Sequence, residues 1–266
     1  MKTALPMSLD IRLMNLSAVG LLLAFAGLCA FYAVQVFSRL AVFDIQGISV
    51  NGDTRHNSSV TLRANVTPRI DGTILTVDLA RVRAAFEAAP WVRQAQVWRD
   101  FPNRLRVSLQ EHQPVALWGG ADGAGTELDA RLLNSYGEVF EANLGEVDQD
   151  ELPLLSGPDG EGPNVLAMYH LLAPRFAELG LKVEAVNLSA RGSWSVRLEN
   201  AASIELGRGD AAKVQPRLDR FLKTLTQVVS RYGRQPSALE AADLRHENGY
   251  AIRLYGVSTT ATVAKQ

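Results

Sequence analysis

The pattern along the chain begins with a block that has no polar alternation at all. From Leu13 to Ser38 no residue carries a charge. As a helix this run is about 39 Å long, enough to cross a hydrocarbon core of roughly 30 Å. Only helical hydrogen bonding satisfies its backbone there. A secretory signal has a shorter apolar core, about 7–15 residues, followed by a small-residue cleavage site. Leu28 ahead of Cys29 also spoils a lipoprotein-type site. The run is therefore read as an uncleaved anchor. Lys2 and Arg12 before it and Arg39 after it give a slight orientational bias. The short tail has nothing to fold around, so it is expected in the cytoplasm with the bulk of the chain exported.

After the anchor the pattern changes to short alternating segments. Phe43–Val50 reads as a strand ending at the turn Asn51-Gly52. Ser58 or Ser59 is a candidate cap for a short helix through Leu62 and Val66. Asp78 caps a second helix with Leu79, Val82 and Phe86 on one face, stopped by Pro90. Val92–Trp98 and Leu105–Leu109 alternate on either side of a turn and form a hairpin. Strict alternation puts Val92, Gln94, Gln96 and Trp98 on one face and Ala95 and Val97 on the other. This is a β-α-α-β-β order.

The Gly/Ala/Asp stretch Gly119–Gly125 reads as a boundary. Beyond it come mostly strands: Leu132–Phe140 around an Asn134-Ser-Tyr-Gly137 turn, then Trp194–Leu198 and Ile204–Leu206. One helix is expected from Asn164 to Leu179, ended by Gly180 and strained by Pro174. A longer one carries Val214, Leu218, Phe221, Leu222, Leu225 and Val229 at period 3.6. Pro216 inside it suggests a start later than Asp210. The last strand is expected at roughly Asp243–Tyr255, with Tyr250, Ile252 and Leu254 in one row. The expected organisation is a cytoplasmic tail (1–12), a transmembrane helix (13–38), a small β-α-α-β-β domain (39–117) and a β-rich domain with helices packed on an antiparallel sheet (118–256). A disordered polar tail (257–266) closes an α+β chain.

Composition narrows the function. The chain has a net charge of −1, and the part after Ser38 has 25 basic and 27 acidic residues, interspersed. Such a body lacks the basic face that nucleic acid requires. Cys29 is the single cysteine and lies inside the apolar run, which excludes internal disulfides, CxxC chemistry and cysteine zinc sites in the exported part. The histidines His56, His112, His170 and His246 are mutually out of helical reach and start no HExxH motif. No G-x-S-x-G elbow occurs. Gly207-Arg-Gly-Asp-Ala-Ala212 matches a dinucleotide-type G-x-G-x-x-A, but without a βαβ repeat or a following acidic partner. It reads instead as a strand-to-helix turn in which glycines permit φ > 0 and Asp210 caps the helix. No catalytic centre, cofactor or metal is expected.

Two segments carry a resemblance: Ala89-Pro-Trp-Val-Arg-Gln-Ala-Gln-Val97 and Phe101-Pro-Asn-Arg-Leu-Arg-Val-Ser-Leu-Gln-Glu-His-Gln-Pro-Val-Ala-Leu-Trp118. In this order, after an anchor and a β-α-α start, they resemble the POTRA domain of the FtsQ/DivIB cell-division family. Leu152-Pro-Leu-Leu-Ser-Gly-Pro158, Ala190-Arg-Gly-Ser-Trp194, Leu206-Gly-Arg-Gly-Asp210 and Ala242-Asp-Leu-Arg245 are similar to the family's second domain. Asn134 departs from the more usual Asp before the turn glycine. The resemblance implies a non-enzymatic, single-pass inner-membrane scaffold at the division septum. Such a scaffold links early and late division proteins and recruits the FtsB–FtsL pair, with further partners such as FtsK, FtsW and FtsI reached through the POTRA domain or the transmembrane helix. Two alternatives are a POTRA-bearing component of another envelope assembly or secretion system, which would add many alternating barrel strands, and an anchored cell-wall hydrolase, which would need a clustered catalytic site.

Two surfaces follow from the resemblance. Gln94, Val97 and Arg99 match a recruitment surface on the hairpin. Arg245, His246, Asn248, Gly249, Tyr250, Ile252 and Leu254 match the FtsB-binding region, with Arg191 as a basic neighbour. The residues argue independently for the second. A terminal strand tends to be a sheet edge, such edges are normally blunted by proline, charge or bulges, and no proline lies between Arg245 and Tyr255. An open edge suits addition of a partner strand.

Overall fold

The computed structural model describes residues 9–57, 62, 66, 68, 70–120, 131–246 and 249–257. The chain divides into two compact units, Met1–Glu111 and His112–Gln266. Helix α1 (Leu9–Ser38) begins a turn ahead of the expected Leu13. Its stretch Leu13–Ser38 is unburied and, among the described residues, is the one helix long and apolar enough to cross a membrane.

The rest of the first unit holds β1 (Gly47–Gly52), α2 (Leu79–Glu87), β2 (Val92–Asp100) and β3 (Arg104–Glu111). The strand order is β1-β3-β2, with β1 parallel and β2 antiparallel to β3. Asp78 caps α2 as expected, accepting from the N–H groups of Ala80 and Arg81 at 2.9 and 3.2 Å. Val82 and Phe86 of α2 close over Leu105 and Val107 together with Leu62 and Val66, which are helical. The proposed caps Ser58 and Ser59 lie outside the described residues. One expectation is corrected. Val92 is buried and shares the core with Ala95 instead of pointing outward with Gln94. A register shift between Val92 and Gln94 is the cause, because a bulge inserts one residue and flips the alternation before it.

Glu111, the last residue of β3, explains why that strand ends on an acid. Its carboxylate is buried and accepts from the backbone N–H groups of Arg55, His56 and Asn57 at 2.9, 3.1 and 3.0 Å. It thereby closes the loop that follows β1. The His56 ring stacks on Trp91 at 3.9 Å.

The second unit starts with β4 (Pro114–Gly119), which pairs with β5 (Arg131–Asn134) and β7 (Leu154–Ser156). Pro114–Leu117 therefore belongs to the second sheet. The division between units falls at Glu111/His112, ahead of the expected 117/118, and the Gly-rich stretch read as a boundary lies mostly outside the described residues. The remaining elements are β6 (Val139–Phe140), α3 (Gly162–Ala177), β8 (Val183–Leu188), β9 (Ser193–Leu198), β10 (Ser203–Arg208), α4 (Ala211–Ser230), β11 (Leu239–Asp243) and β12 (Ala251–Leu254). Their sheet order is β12-β11-β10-β9-β8-β7-β4-β5-β6. The α+β architecture is as expected, but the sheet is mixed. β7 to β8 and β10 to β11 are parallel pairs joined through α3 and α4, since parallel neighbours need a crossover long enough to hold a helix.

Both helices tolerate an internal proline. α3 opens at Gly162 with Pro163 in its first turn, two residues before the expected Asn164, and runs through Pro174 to Ala177. α4 begins at Ala211 directly after its cap Asp210, not later, and carries Pro216. An interior proline costs about 3 kcal/mol. Val214, Leu218, Phe221, Leu225 and Val229 are all fully buried, and each such side chain contributes about 1.5–3 kcal/mol, so the apolar stripe decides. At the β5–β6 turn the fully buried Asn134 accepts from the N–H groups of Tyr136 and Glu138, both at 2.9 Å. An amide oxygen serves here as the more usual aspartate would.

Candidate functional site

The G-x-G-x-x-A match resolves as a turn. Gly207 (φ +84°) sits at a register shift in β10, and Gly209 (φ +123°) precedes Asp210, whose side chain accepts from the Lys213 N–H at 3.1 Å. A Cβ on Gly209 would lie 2.8 Å from the Lys213 Cβ. Trp194 Nε1 donates to the Gly209 carbonyl and Arg217 to those of Leu206 and Arg208. The groups around the turn are thus bonded to protein. Among the described residues no cluster of three His, Cys, Asp or Glu side chains is placed to hold a metal.

The C-terminal strand has different properties. β12 pairs antiparallel with β11 and ends the sheet. It is shorter than expected, because Asp243 is the last residue of β11, a strand the alternation did not reveal. Tyr250, Ile252 and Leu254 pack on the unit's own core. The Tyr250 ring meets Phe221 edge-on at 5.2 Å, and its hydroxyl lies 2.6 Å from Thr224 Oγ1. The apolar row is therefore a core face. Ala251, Arg253 and Tyr255 face outward. Arg253 is bonded to Glu240 of β11 at 2.9 Å, and it is the one charged residue of β12, which holds no proline.

Arg245 is engaged with its own neighbour. Its guanidinium grips Asp243 through two bonds of 2.9 and 2.6 Å, and its N–H adds a third at 3.0 Å. The hydrogen bond from the Arg245 side chain is the main reason the Asp243 carboxyl is lowered to about 2, and the Arg245 pKa is raised in return. His246 is exposed, among the described residues nothing but Gly249's chain neighbours lies within 4 Å of a Cβ built on it, and Asn248 falls outside the described residues. Arg191, in the β8–β9 turn, is exposed and has no ion pair among the described residues. The registers bring these positions to one end of the sheet. Ser193 pairs with Arg208, and Glu205 pairs with Asp243. The β8–β9 turn, the start of α4 and the β11–β12 connection therefore lie on the same rim.

Models of known families match both units. A POTRA domain of FtsQ type covers residues 43–112, and the C-terminal domain of cell division protein FtsQ/DivIB covers 116–245. Similar over most of their length are the proteins named cell division protein FtsQ from Thiomonas arsenitoxydans (40% identical; 94% of this chain, 89% of that one) and Burkholderia pseudomallei (38%; 93% and 94%). That from Bordetella pertussis is 34% identical over 92% of each chain. This chain belongs to the FtsQ family.

Within an FtsQ-type POTRA unit, the residues matched to a recruitment surface divide by environment. Gln94 is exposed on β2, and Val97 packs partly on the core. Arg99 donates to the carbonyls of Ile74 and Val77 at 2.7 and 2.8 Å, a tie that sequence alternation cannot show because its partners are backbone atoms 22 and 25 residues away. Asp243 was also missed as the partner of Arg245; a signal for it was available in the Asp-x-Arg spacing.

Proposed function

We propose that the chain is a non-enzymatic, single-pass scaffold of the bacterial divisome. In this reading α1 crosses the inner membrane with the tail cytoplasmic, residues 39–266 lie on the exported side at the division septum, and the second unit recruits the FtsB–FtsL pair. The observation that best supports it is the open outer edge of β12. Among the described residues no strand pairs with this edge, whose backbone groups suit an added strand from FtsB, and Ala251, Arg253 and Tyr255 are the side chains such a strand would meet. Arg191 and His246 offer exposed groups on the adjoining rim for an acidic partner segment. FtsK, FtsW and FtsI would be engaged through the first unit, at Gln94, Val97 and Arg99, or through α1.

The test is co-purification of FtsB with the full-length protein from membranes. Arg245→Glu, which sets two acids side by side at the β11 end, and truncation after Asn248, which deletes β12, are each expected to abolish it. Arg191→Glu is expected to weaken it without loss of fold. Undiminished FtsB binding by the truncated protein would remove the strand from the mechanism. Alkaline phosphatase fused after Gln266 should be active if residues 39–266 are exported.

A further inference from the structure

Beyond α1, the first unit exposes five large hydrophobic side chains among its described residues: Leu40 (45%), Val42 (69%), Leu75 (38%), Trp98 (46%) and Phe101 (64%). Surface hydrophobics are ordinarily scattered. These are not, because the three segments that carry them are bonded together where the chain leaves α1. The Ser38 carbonyl, at the end of the helix, accepts from Thr73 Oγ1 at 2.6 Å. Ile74 N donates to the Phe43 carbonyl at 2.8 Å. The Ile74 carbonyl accepts from Arg99 near the tip of the β2–β3 hairpin, and Gln46 N donates to the Asn103 carbonyl in its turn. The opposite end of the sheet, around Gln94 and Gln110, carries none of the five.

The charges at this end suit a phosphate layer. Arg39 and Arg104 are exposed and form no ion pair among the described residues. Asp71 and Asp100 are paired with Arg81 and Arg106 at 3.4 and 3.1 Å, and Asp44 and the helix cap Asp78 are the further acids. Aromatic rings rimmed by arginine are the side chains that settle at a membrane–water interface. A bilayer is also the one surface bound to be present beside the residue that ends a membrane span.

We propose that this end of the first unit sits in the headgroup layer of the bilayer that α1 crosses, with Trp98 and Phe101 as interfacial anchors and Leu40, Val42 and Leu75 as their apolar footing. The anchor fixes how the unit stands on the membrane, and with it the direction in which β2 presents Gln94. The inference rests on α1 spanning the bilayer and is independent of any division partner.

Trp98 supplies its own probe. Of the four tryptophans it is the exposed one; Trp91, Trp118 and Trp194 are at most 5% exposed. The full-length protein is reconstituted in nanodiscs of phosphatidylcholine and phosphatidylglycerol, with and without acyl chains brominated near the headgroup. The Trp98 emission is taken as the difference between wild type and Trp98→Phe. It is expected to fall about twofold in the brominated discs, as for a ring held at headgroup depth, and to resist aqueous iodide. The double change Val42→Ser with Phe101→Ser, with the circular dichroism spectrum unchanged, should restore emission and admit iodide. Trp98 emission that is insensitive to brominated lipid but open to iodide would overturn the proposal and leave the patch to water or a protein partner. Undiminished lipid quenching in the double variant would equally refute the footing assigned to Val42 and Phe101.

Discussion

Removing the Glu111 carboxylate should unfasten the first unit from within. The side chain is 2% exposed and receives three backbone N–H groups, the Asn57 amide at 3.1 Å and the His56 ring nitrogen at 3.4 Å. Hydrogen bonds to a charged group contribute about 1.5–3 kcal/mol each. The loop 55–57 is itself only partly buried, so water recovers some of that when the acceptor is lost. Glu111→Ala should then cost about 3–5 kcal/mol in all, a large part of the roughly 5–15 kcal/mol that holds a domain together. Glu111→Gln, which keeps one carbonyl acceptor and gives up the charge, should cost about half as much. Thermal unfolding of the full-length protein in detergent measures the loss. Hydrogen exchange locates it, because the amides of Arg55, His56 and Asn57 should lose protection while those of the second unit do not. If Glu111→Ala melts within a degree or two of wild type and the three amides stay protected, the carboxylate is not the clasp the geometry describes.

Two further outcomes follow from the same geometry. Arg99→Ala gives up two bonds to carbonyls and should lower the stability of the first unit by about 1–3 kcal/mol, whereas Gln94→Glu should leave its melting unchanged; septal localisation lost in Gln94→Glu alone would therefore mark recruitment rather than folding. Asp243 is lowered to about 2 by Arg245, so the stability its pairing contributes is fully present above the usual carboxylate value and is lost as pH falls from there through about 2; a carboxyl titration followed by NMR should find Asp243 ionised at pH 3, and Arg245→Gln should return it towards the ordinary range.

Much of the architecture was legible because apolar residues repeat at the period of the element that buries them. The stripe Val214 to Val229 announced α4, and Asp78 and Asp210 announced their helices by capping chemistry. What escaped has specific causes. β11 is Leu-Glu-Ala-Ala-Asp, with low strand propensity; it is a strand because α4 delivers it parallel to β10. The bulge after Val92 inverted a face that strict alternation assigned wrongly. β4 follows β3 after only His112 and Gln113, so nothing in composition marks the change of sheet. At the candidate site, the terminal position of β12 was inferred from chain order and is borne out by the sheet order. The environments of Arg245 and Tyr250 were not legible, since both depend on partners that folding brings alongside.

The central claim is that a partner strand adds to the outer edge of β12. Hydrogen exchange of the Ala251–Leu254 amides, with and without FtsB bound to the full-length protein, tests it most directly. Backbone pairing predicts that edge amides exchanging freely in the protein alone become protected in the complex, together with slower exchange at Gly249 and Tyr250. A stable FtsB complex in which the exchange of Ala251–Leu254 is unchanged would contradict it.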